Sequence, residues 1–524
     1  MSAFRPELVR PKLEYPRIPY HELLRRSVER TPDKWATVFN DQMLTFRELE
    51  ALSNSLANGL RELGIVKGDR VALYMTNRPE YLISFEAISK AGGVVTPINP
   101  VYHEQEVEYQ LHDSEARVLI VQEDRWPIVD AVRSRIPTVE HILIVGSAHP
   151  PHAESWYEVA AVHPATRPPD IAFDLDHDLI ALPYSSGTTV LPKGVKLSHR
   201  NLVANDIQCT SAGRIGNRDV LLLFLPFYHI YGTMLMGAAV ASGATLCIME
   251  RFEALTALSI TERYRVTLFY TVPPVLLALT QLPDLKKYDL SSVRYMMSGA
   301  APMPPELGRR MRELTGVQVL QGYGLTEASP LTHMNPVDNP ERVRLDSVGW
   351  PVSDQEERIV DADDPSKELA PGEPGELVVR GPHVMQGYWK APEETARALR
   401  DGWLYTGDIA RKDADGYVYI VDRKKEMIKY KGFGIAPAEL EALLFEHPAV
   451  ADCAVVPRKD ADAGEIPCAF VVARGGVQVT AVDIMQFVAG RVAGYKQIRA
   501  VEFIDQIPKN PSGKILRRVL KERA

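Results

Sequence analysis

The chain of 524 residues carries 60 Lys and Arg against 68 Asp and Glu, a formal charge of −8. At about 150 residues per domain its length calls for two to four domains and rules out a single small one, and the acidic balance argues against a dedicated nucleic-acid binder. Hydrophobic residues at 45%, charged residues at 24% and 39 prolines with no low-complexity tract exclude disorder and collagen.

Thr45 and Glu48 form a capping box ahead of Leu49, Leu52, Leu56, Leu60 and Leu63, whose spacings trace one face of a helix that Gly64 closes. Apolar runs at 71–75 (VALYM), 118–121 (VLIV) and 142–145 (ILIV) read as buried strands, with PEYLISFEAISKAGG as a helix after the first. This alternation predicts a mostly parallel, layered α/β architecture. Residues 220–249 contain no Asp, Glu, Lys or Arg over 30 positions, enough to span a bilayer. Pro226, Tyr228, His229, Tyr231 and three glycines interrupt the run, so it reads as a buried strand, a loop and a small-residue helix.

Charge changes sign near residue 422. Residues 423–524 hold 17 basic and 12 acidic side chains, net +5, which leaves −13 on residues 1–422. This last part reads as a small α+β domain: helix PAELEALLFEH, strands CAVV and CAFVVA, helix AVDIMQFVAGRV, strand AVEFI and a closing basic helix. The cysteines, Cys209, Cys247, Cys453 and Cys468, are spaced like neither a zinc knuckle nor a redox pair and read as buried thiols. The first residues hold no apolar core of a secretory signal and the closing KERA matches no peroxisomal address, so a cytoplasmic location is expected.

Residues 184–194, YSSGTTVLPKG, carry the strongest local signal. Small hydroxylated residues and glycine let backbone N–H groups and hydroxyls close around phosphate oxygens, and Lys193 adds a compact positive charge. The segment is not a Walker A loop, because its lysine precedes Gly194. Alone, such a loop is as often structural. Downstream come SGAAP (298–302), QGYGLTEAS (321–329), GWLYTGD (402–408), DRKKEMIKYKG (422–432) and PKNPSGK (508–514). Together, in this order, the six motifs resemble the adenylate-forming superfamily of acyl-CoA synthetases, luciferases and nonribosomal-peptide adenylation domains. Within it the PKG and YKGF contexts look most like acyl-CoA and 4-coumarate-CoA ligases.

The resemblance implies a large multi-subdomain body of layered β-sheets and helices over residues 1–422, which binds AMP and holds the acyl pocket. A small mobile α+β lid would follow over residues 423–524, with its hinge near Lys425. A carboxylate would attack the α-phosphate of ATP to give acyl-AMP and pyrophosphate, and the thiol of coenzyme A would then displace AMP. Barriers of this kind lie in charge and positioning, so cations, a metal ligand and oriented donors are the residues to seek.

By the same resemblance, Ser185, Ser186, Gly187, Thr188, Thr189, Lys193 and Thr326 would meet the phosphates, and Glu327 would hold Mg²⁺ through a hard carboxylate oxygen. Tyr323 would stack on adenine beside Gln321 and Gly322, in a slot shaped by Gly299, Ala300, Ala301 and Pro302. Asp408 would accept the ribose hydroxyls, with Ile420 and Arg423 at the same sugar. Lys514, which as a lone lysine reads as a solvated charge, would reach from the lid to the carboxylate and α-phosphate. After rotation, residues 429–435, with Lys429, Lys431, Gly432 and Phe433, would face the acyl-AMP and open a pantetheine tunnel. His229, alone a core histidine, would gate an acyl pocket walled by Tyr228, Gly299, Gly324, Ser329, Pro330 and Leu331.

Gly324 stands where acetate-specific relatives look to carry tryptophan, which predicts a roomy pocket and a medium-to-long-chain aliphatic acid as substrate. An aryl or cinnamic acid is the alternative; transfer to a carrier protein and a non-catalytic nucleotide binder are further ones. ATP, Mg²⁺ and coenzyme A are the expected cofactors, and a dimer the expected assembly. Two positions depart from the pattern: Val190 stands in place of a loop glycine, and Gly434 where relatives often carry glutamine.

Overall fold

The computed structural model describes residues 11–185, 192–431, 433–460, 462–510 and 513–524, with Phe433 described for its backbone alone. The expectations placed on Ser186, Gly187, Thr188, Thr189, Val190 and Gly432 lie outside the described residues.

Thr45 caps helix Phe46–Glu62 as its sequence predicts: its hydroxyl accepts from the Glu48 N–H at 3.2 Å, and the Glu48 carboxylate accepts from the Thr45 N–H at 2.7 Å. Leu49, Leu56 and Leu60 are buried, and Gly64 takes a left-handed φ of +84° that ends the helix. The predicted strand at 71–75 is Arg70–Tyr74, flanked in parallel by Val94–Pro97 and Ala116–Gln122 in a seven-stranded sheet.

The uncharged run resolves into strand Val220–Leu223, helix Ile230–Ser242 and strand Thr245–Ile248, the strands pairing in parallel across the helical crossover. Among the described residues no helix is long and apolar enough to cross a membrane. These strands sit inside a nine-stranded sheet. Trp35–Phe39, Thr245–Ile248, Val220–Leu223, Leu268–Thr271, Tyr295–Ser298 and Gln318–Gly324 run parallel in it, and Leu331–Met334 turns back antiparallel on the last. Motifs that follow these strands therefore gather at the sheet's C-terminal edge, where parallel sheets place their ligands.

The parallel expectation fails after residue 355. Strands Glu356–Val360, Gly375–Arg380, Trp403–Lys412 and Val418–Arg423 form an antiparallel sheet. Between the last two, Asp413 accepts from the Asp415 and Tyr417 N–H groups in a turn too short for the crossover a parallel pair needs. A separate five-stranded sheet begins at Ile428–Tyr430 and contains Phe433–Ile435, Val450–Asp460, Gly464–Ala473 and Ala500–Phe503. Its elements follow the predicted order, although the Val450–Asp460 and Gly464–Ala473 hairpin runs well past CAVV and CAFVVA. All four cysteines are buried and free, as read.

Behind the parallel sheet lie two buried carboxyls. Glu86, in helix Pro79–Ala91, and Asp206, in helix His199–Gly213, are buried, and a Cβ on Gly237 would stand 2.1 Å from Asp206 Oδ2. Burial pushes the Glu86 carboxyl up to about 8, against a smaller opposing pull from Lys90, and holds Asp206 well above its usual range. The unfolded chain releases the Glu86 proton near pH 4.5 and the folded chain only near pH 8, so stability falls as pH rises through that window. Glu86→Gln, neutral at every pH, is expected to flatten this fall and to gain about 1–3 kcal/mol at pH 8 over its effect at pH 5. Equal shifts in thermal unfolding at the two pH values would refute a titrating Glu86.

Candidate active site

Asp408 lies on strand Trp403–Lys412 directly opposite Arg423 on Val418–Arg423, so the antiparallel register alone brings the acid to the guanidinium. Its Oδ2 accepts from the Tyr323 hydroxyl at 2.5 Å, and its Oδ1 stands 3.4 Å from Arg423 Nε. Burial raises the carboxyl above its usual range even though Arg423, the Tyr323 hydroxyl and Lys514 all favour the anion. Tyr323 lies near the end of strand Gln318–Gly324 of the nine-stranded sheet, so this hydrogen bond links that sheet to the antiparallel one.

Lys514 arrives from the C-terminal unit. Its N–H donates to Asn510 Oδ1 at 2.8 Å in a tight loop, and Gly513, at φ +81°, packs so closely that a Cβ would stand 3.0 Å from Pro274 of the body. Burial foremost, then the charge of Arg423, pushes the Lys514 ammonium down to about 8. The same lysine is felt by His229, held down to about 4 by burial and then by that charge. His229 caps helix Ile230–Ser242: its Nδ1 accepts from the Tyr231 N–H at 3.2 Å, which leaves the proton of the neutral ring on Nε2. Lys514, Asp408, Arg423, Tyr323 and His229 thus converge from four distant segments.

On the phosphate-loop side, Tyr184–Ser185 and Lys193–Gly194 pair as a short antiparallel ladder around the undescribed tip. The Tyr109 hydroxyl donates to Pro192 O at 2.8 Å while its ring meets Tyr184 edge-on, and the Tyr184 hydroxyl donates to Asp113 Oδ2 at 2.5 Å, so one helix clamps both ends. Lys193 is held by Glu394 at 2.7 Å and lies over the Tyr388 ring. Glu327 Oε1 accepts from Tyr388 at 2.8 Å and Ser185 at 3.3 Å. Among the described residues no cluster of three or more His, Cys, Asp or Glu could hold a metal ion. A single carboxylate still suits Mg²⁺, which keeps most of its waters and takes the rest of its ligands from phosphate. Thr326, beside Glu327, opens the 3₁₀ turn Thr326–Ala328.

Other expected residues have partners within the protein. Gln321 is buried with both ends of its amide spent: Oε1 accepts from the Met303 N–H at 3.1 Å and Nε2 donates to Leu345 O. It shapes the turn that carries Gly299, Ala300, Ala301 and Pro302, in which Ala300 takes a φ of +66°. Gly322 sits so that a Cβ would stand 3.2 Å from His333 O, and Ile420 packs on the core of the body. Gly324 has a different reason than pocket room, for a Cβ there would stand 2.2 Å from Pro330 O; close strand pairing demands the glycine. Ser329 and Pro330 are buried in the turn that leads into the return strand, Leu331 is buried at its start, and Tyr228 is half-buried.

The segment 429–435 is not in this group. Lys429 and Lys431 are exposed and donate their N–H groups to Glu465 and Ala463 of their own sheet, and Phe433 pairs with Tyr430. Gly434 is exposed, 3.1 Å from Met427 Cε for an added Cβ. Lys425 occupies the turn between the last two sheets. Sequence reasoning passed over Tyr388, Glu394, Tyr109 and Asp113, which share no motif with the groups they hold and have no periodic signal.

The family described as AMP-binding enzyme matches residues 24–389, and its C-terminal domain matches residues 439–514. The 4-coumarate–CoA ligase 5 of Oryza sativa subsp. japonica is 41% identical over 489 residues, 92% of this chain and 89% of that protein. A long-chain-fatty-acid–CoA ligase of Bacillus subtilis (strain 168) is 35% identical across 98% of this chain and 95% of its own length. Among solved structures, the anthranilate CoA ligase AuaEII in complex with anthranoyl-AMP superposes with a TM-score of 0.89 at 30% identity, covering 97% of both chains. The chain belongs to the AMP-binding enzymes, as an AMP-forming acid–thiol ligase that uses ATP, Mg²⁺ and coenzyme A.

Proposed function

We propose that this ligase activates an aryl-propenoic acid, of the kind named for its 4-coumarate-specific relatives, and hands it to coenzyme A. The likeness to those ligases over more than nine-tenths of the chain carries the reading and reverses the preference for an aliphatic acid drawn from the motifs. The side chains around Gly299 agree with it. A Cβ on Gly299 would stand 3.1 Å from the Tyr231 ring, which meets Tyr270 edge-on at 6.5 Å between centroids. A flat ring gains about 0.5–1.5 kcal/mol from each such edge or face contact, which an alkyl chain does not.

In this reading adenine lies on Tyr323, the ribose hydroxyls on Asp408, and the phosphates between Lys193, Thr326 and Lys514. The substrate carboxylate oxygen bonds the α-phosphorus as the bond to pyrophosphate breaks. Lys514 offsets the charge on the reacting oxygens, and Glu327 would hold Mg²⁺, whose positive charge would be available to the pyrophosphate. The His229 Nε2–H faces the carboxylate pocket as a donor, since a carboxylate nucleophile needs no base. Rotation at Lys425 then withdraws Lys514 and presents residues 429–435 to the acyl-AMP, where the thiol sulfur bonds the acyl carbon and AMP leaves.

Acid-dependent AMP release across acetate, octanoate, palmitate, benzoate and 4-coumarate tests the substrate: kcat/KM is expected to be highest for 4-coumarate, and tenfold preference for octanoate or palmitate would reverse the reading. Lys514 makes a second prediction. A cation that titrates near 8 in the free enzyme should give a pyrophosphate-exchange kcat/KM that falls above that pH. Lys514→Arg should remove the fall, and Lys514→Ala should cost about 10²-fold or more. An unaltered profile in Lys514→Arg would take the lysine out of the first step.

A further inference from the structure

Beside Tyr323, on the same face of the strand pair, lies a buried ionic chain that the reaction as described does not use. His333 stands opposite Tyr323 in the strand register, their ring centroids 5.9 Å apart. Its Nε2 is 2.5 Å from Glu357 Oε2, and Glu357 Oε1 is 2.8 Å from Lys412 Nζ. Its Nδ1 is 3.0 Å from Thr332 Oγ1, and that hydroxyl donates to Tyr323 O at 3.1 Å. His333 and Thr332 are fully buried and the Glu357 side chain is 4% exposed.

Nε2 faces a carboxylate and donates to it, which fixes the His333 ring between Tyr323 and a carboxylate that Lys412 also binds, with Nδ1 on the Thr332 hydroxyl. Glu357 lies down at about 2 because His333 and Lys412 outweigh its burial. The remaining titratable neighbour, buried His383, is held to about 3 by burial and by the His333 charge, and its ring nitrogens face Gln355 and Gln208.

We propose that His333 and Glu357 are positioning residues for the nucleotide: Glu357 fixes the His333 ring through Nε2, and His333 with Thr332 holds the strand from which Tyr323 presents its ring and keeps its hydroxyl on Asp408. The inference rests on Tyr323 and Asp408 receiving ATP. Lys412 lies on the same strand as Asp408, so the chain ties the adenine platform and the ribose acid into one unit. Without the carboxylate, the His333 ring loses the partner that sets its orientation, and with it its hold on Thr332, whose hydroxyl contacts the Tyr323 carbonyl.

The test measures pyrophosphate exchange in Glu357→Gln, Thr332→Val and Asp408→Asn, varying ATP and acid separately. Glu357→Gln is expected to raise KM for ATP about tenfold, with kcat and KM for the acid within about twofold of the parent. Thr332→Val should repeat that split with little loss of thermal stability, and it decides the matter should Glu357→Gln fail to fold. A purely structural pair would instead lower the melting temperature and the active fraction while leaving KM for ATP unchanged, which overturns the inference. Asp408→Asn separates the two layers. If it raises KM for ATP while Thr332→Val does not, the pair is no positioning device and the site stands. If Asp408→Asn also leaves KM for ATP unchanged, the placement of the nucleotide falls and the inference with it.

Discussion

Three stretches of chain are obliged to meet at the Asp408 carboxylate. An ion taken out of water costs several kcal/mol unless other groups replace the lost solvation. Tyr323 supplies a hydroxyl from the parallel sheet, Arg423 a guanidinium from the adjoining antiparallel strand, and Lys514 an ammonium from the C-terminal unit. Their combined attraction does not fully offset burial, since the carboxyl stays above its usual range. The cations are in the same position: Arg423 and Lys514 repel one another, and Lys514 is pushed down to about 8. A cluster in which buried cations face each other across one acid is preorganised for a polyanion, because each phosphate that enters relieves a repulsion already present.

The turn between the last two sheets shows how such a cluster can also be taken apart. Lys424 holds back to the body through Glu376 at 3.0 Å and Ala362 O at 2.6 Å, while Glu426 holds forward to Arg517 at 3.0 Å. Arg517 also binds Glu441, and Asp422 accepts from the Ala438 N–H at the start of helix Pro437–Phe445. The Glu426–Arg517 and Arg517–Glu441 pairs stay with the C-terminal unit, whereas the Asp422–Ala438 bond joins that unit to the body's last strand. The Lys424 contacts rest on a half-exposed lysine, a kind of pair worth under about 1 kcal/mol. The proposed rotation at Lys425 therefore has one buried carboxylate bond, that of Asp422, as its main contact to break.

Much of this was legible in the sequence, and the limits have physical causes. The capping box at Thr45, the parallel strands and the uncharged run were readable because periodicity and caps are local. The convergence of Lys514 on Asp408 was readable only through the ordered motifs, since no local signal links residues a hundred positions apart. The antiparallel sheet was missed because its strands alternate poorly, and a turn such as that at Asp413 decides strand direction without changing composition. Tyr388, Glu394 and the His333 chain were missed for a related reason: a buried partner is recognised by what it faces across the fold, and neither spacing nor charge count records that.

The revised substrate reading turns on the same distinction. By the motifs Gly324, Ser329, Pro330 and Leu331 read as pocket walls, and the absence of a large side chain at Gly324 as spare volume. In the fold, Gly324 is a glycine because Pro330 O occupies the place of its Cβ, and Ser329, Pro330 and Leu331 are buried where the chain turns into the return strand. What stands against Gly299 is an aromatic series, Tyr231 on Tyr270 and Tyr270 bonded to Tyr295, whose hydroxyl is anchored on Gly213 O at 2.9 Å. Tyr270 and Tyr295 are core residues that brace the Tyr231 ring from behind, so the surface Tyr231 presents at Gly299 is rigid. A rigid aromatic wall rewards a flat, stiff acid that loses little freedom on binding and penalises a long alkyl chain that must be ordered bond by bond.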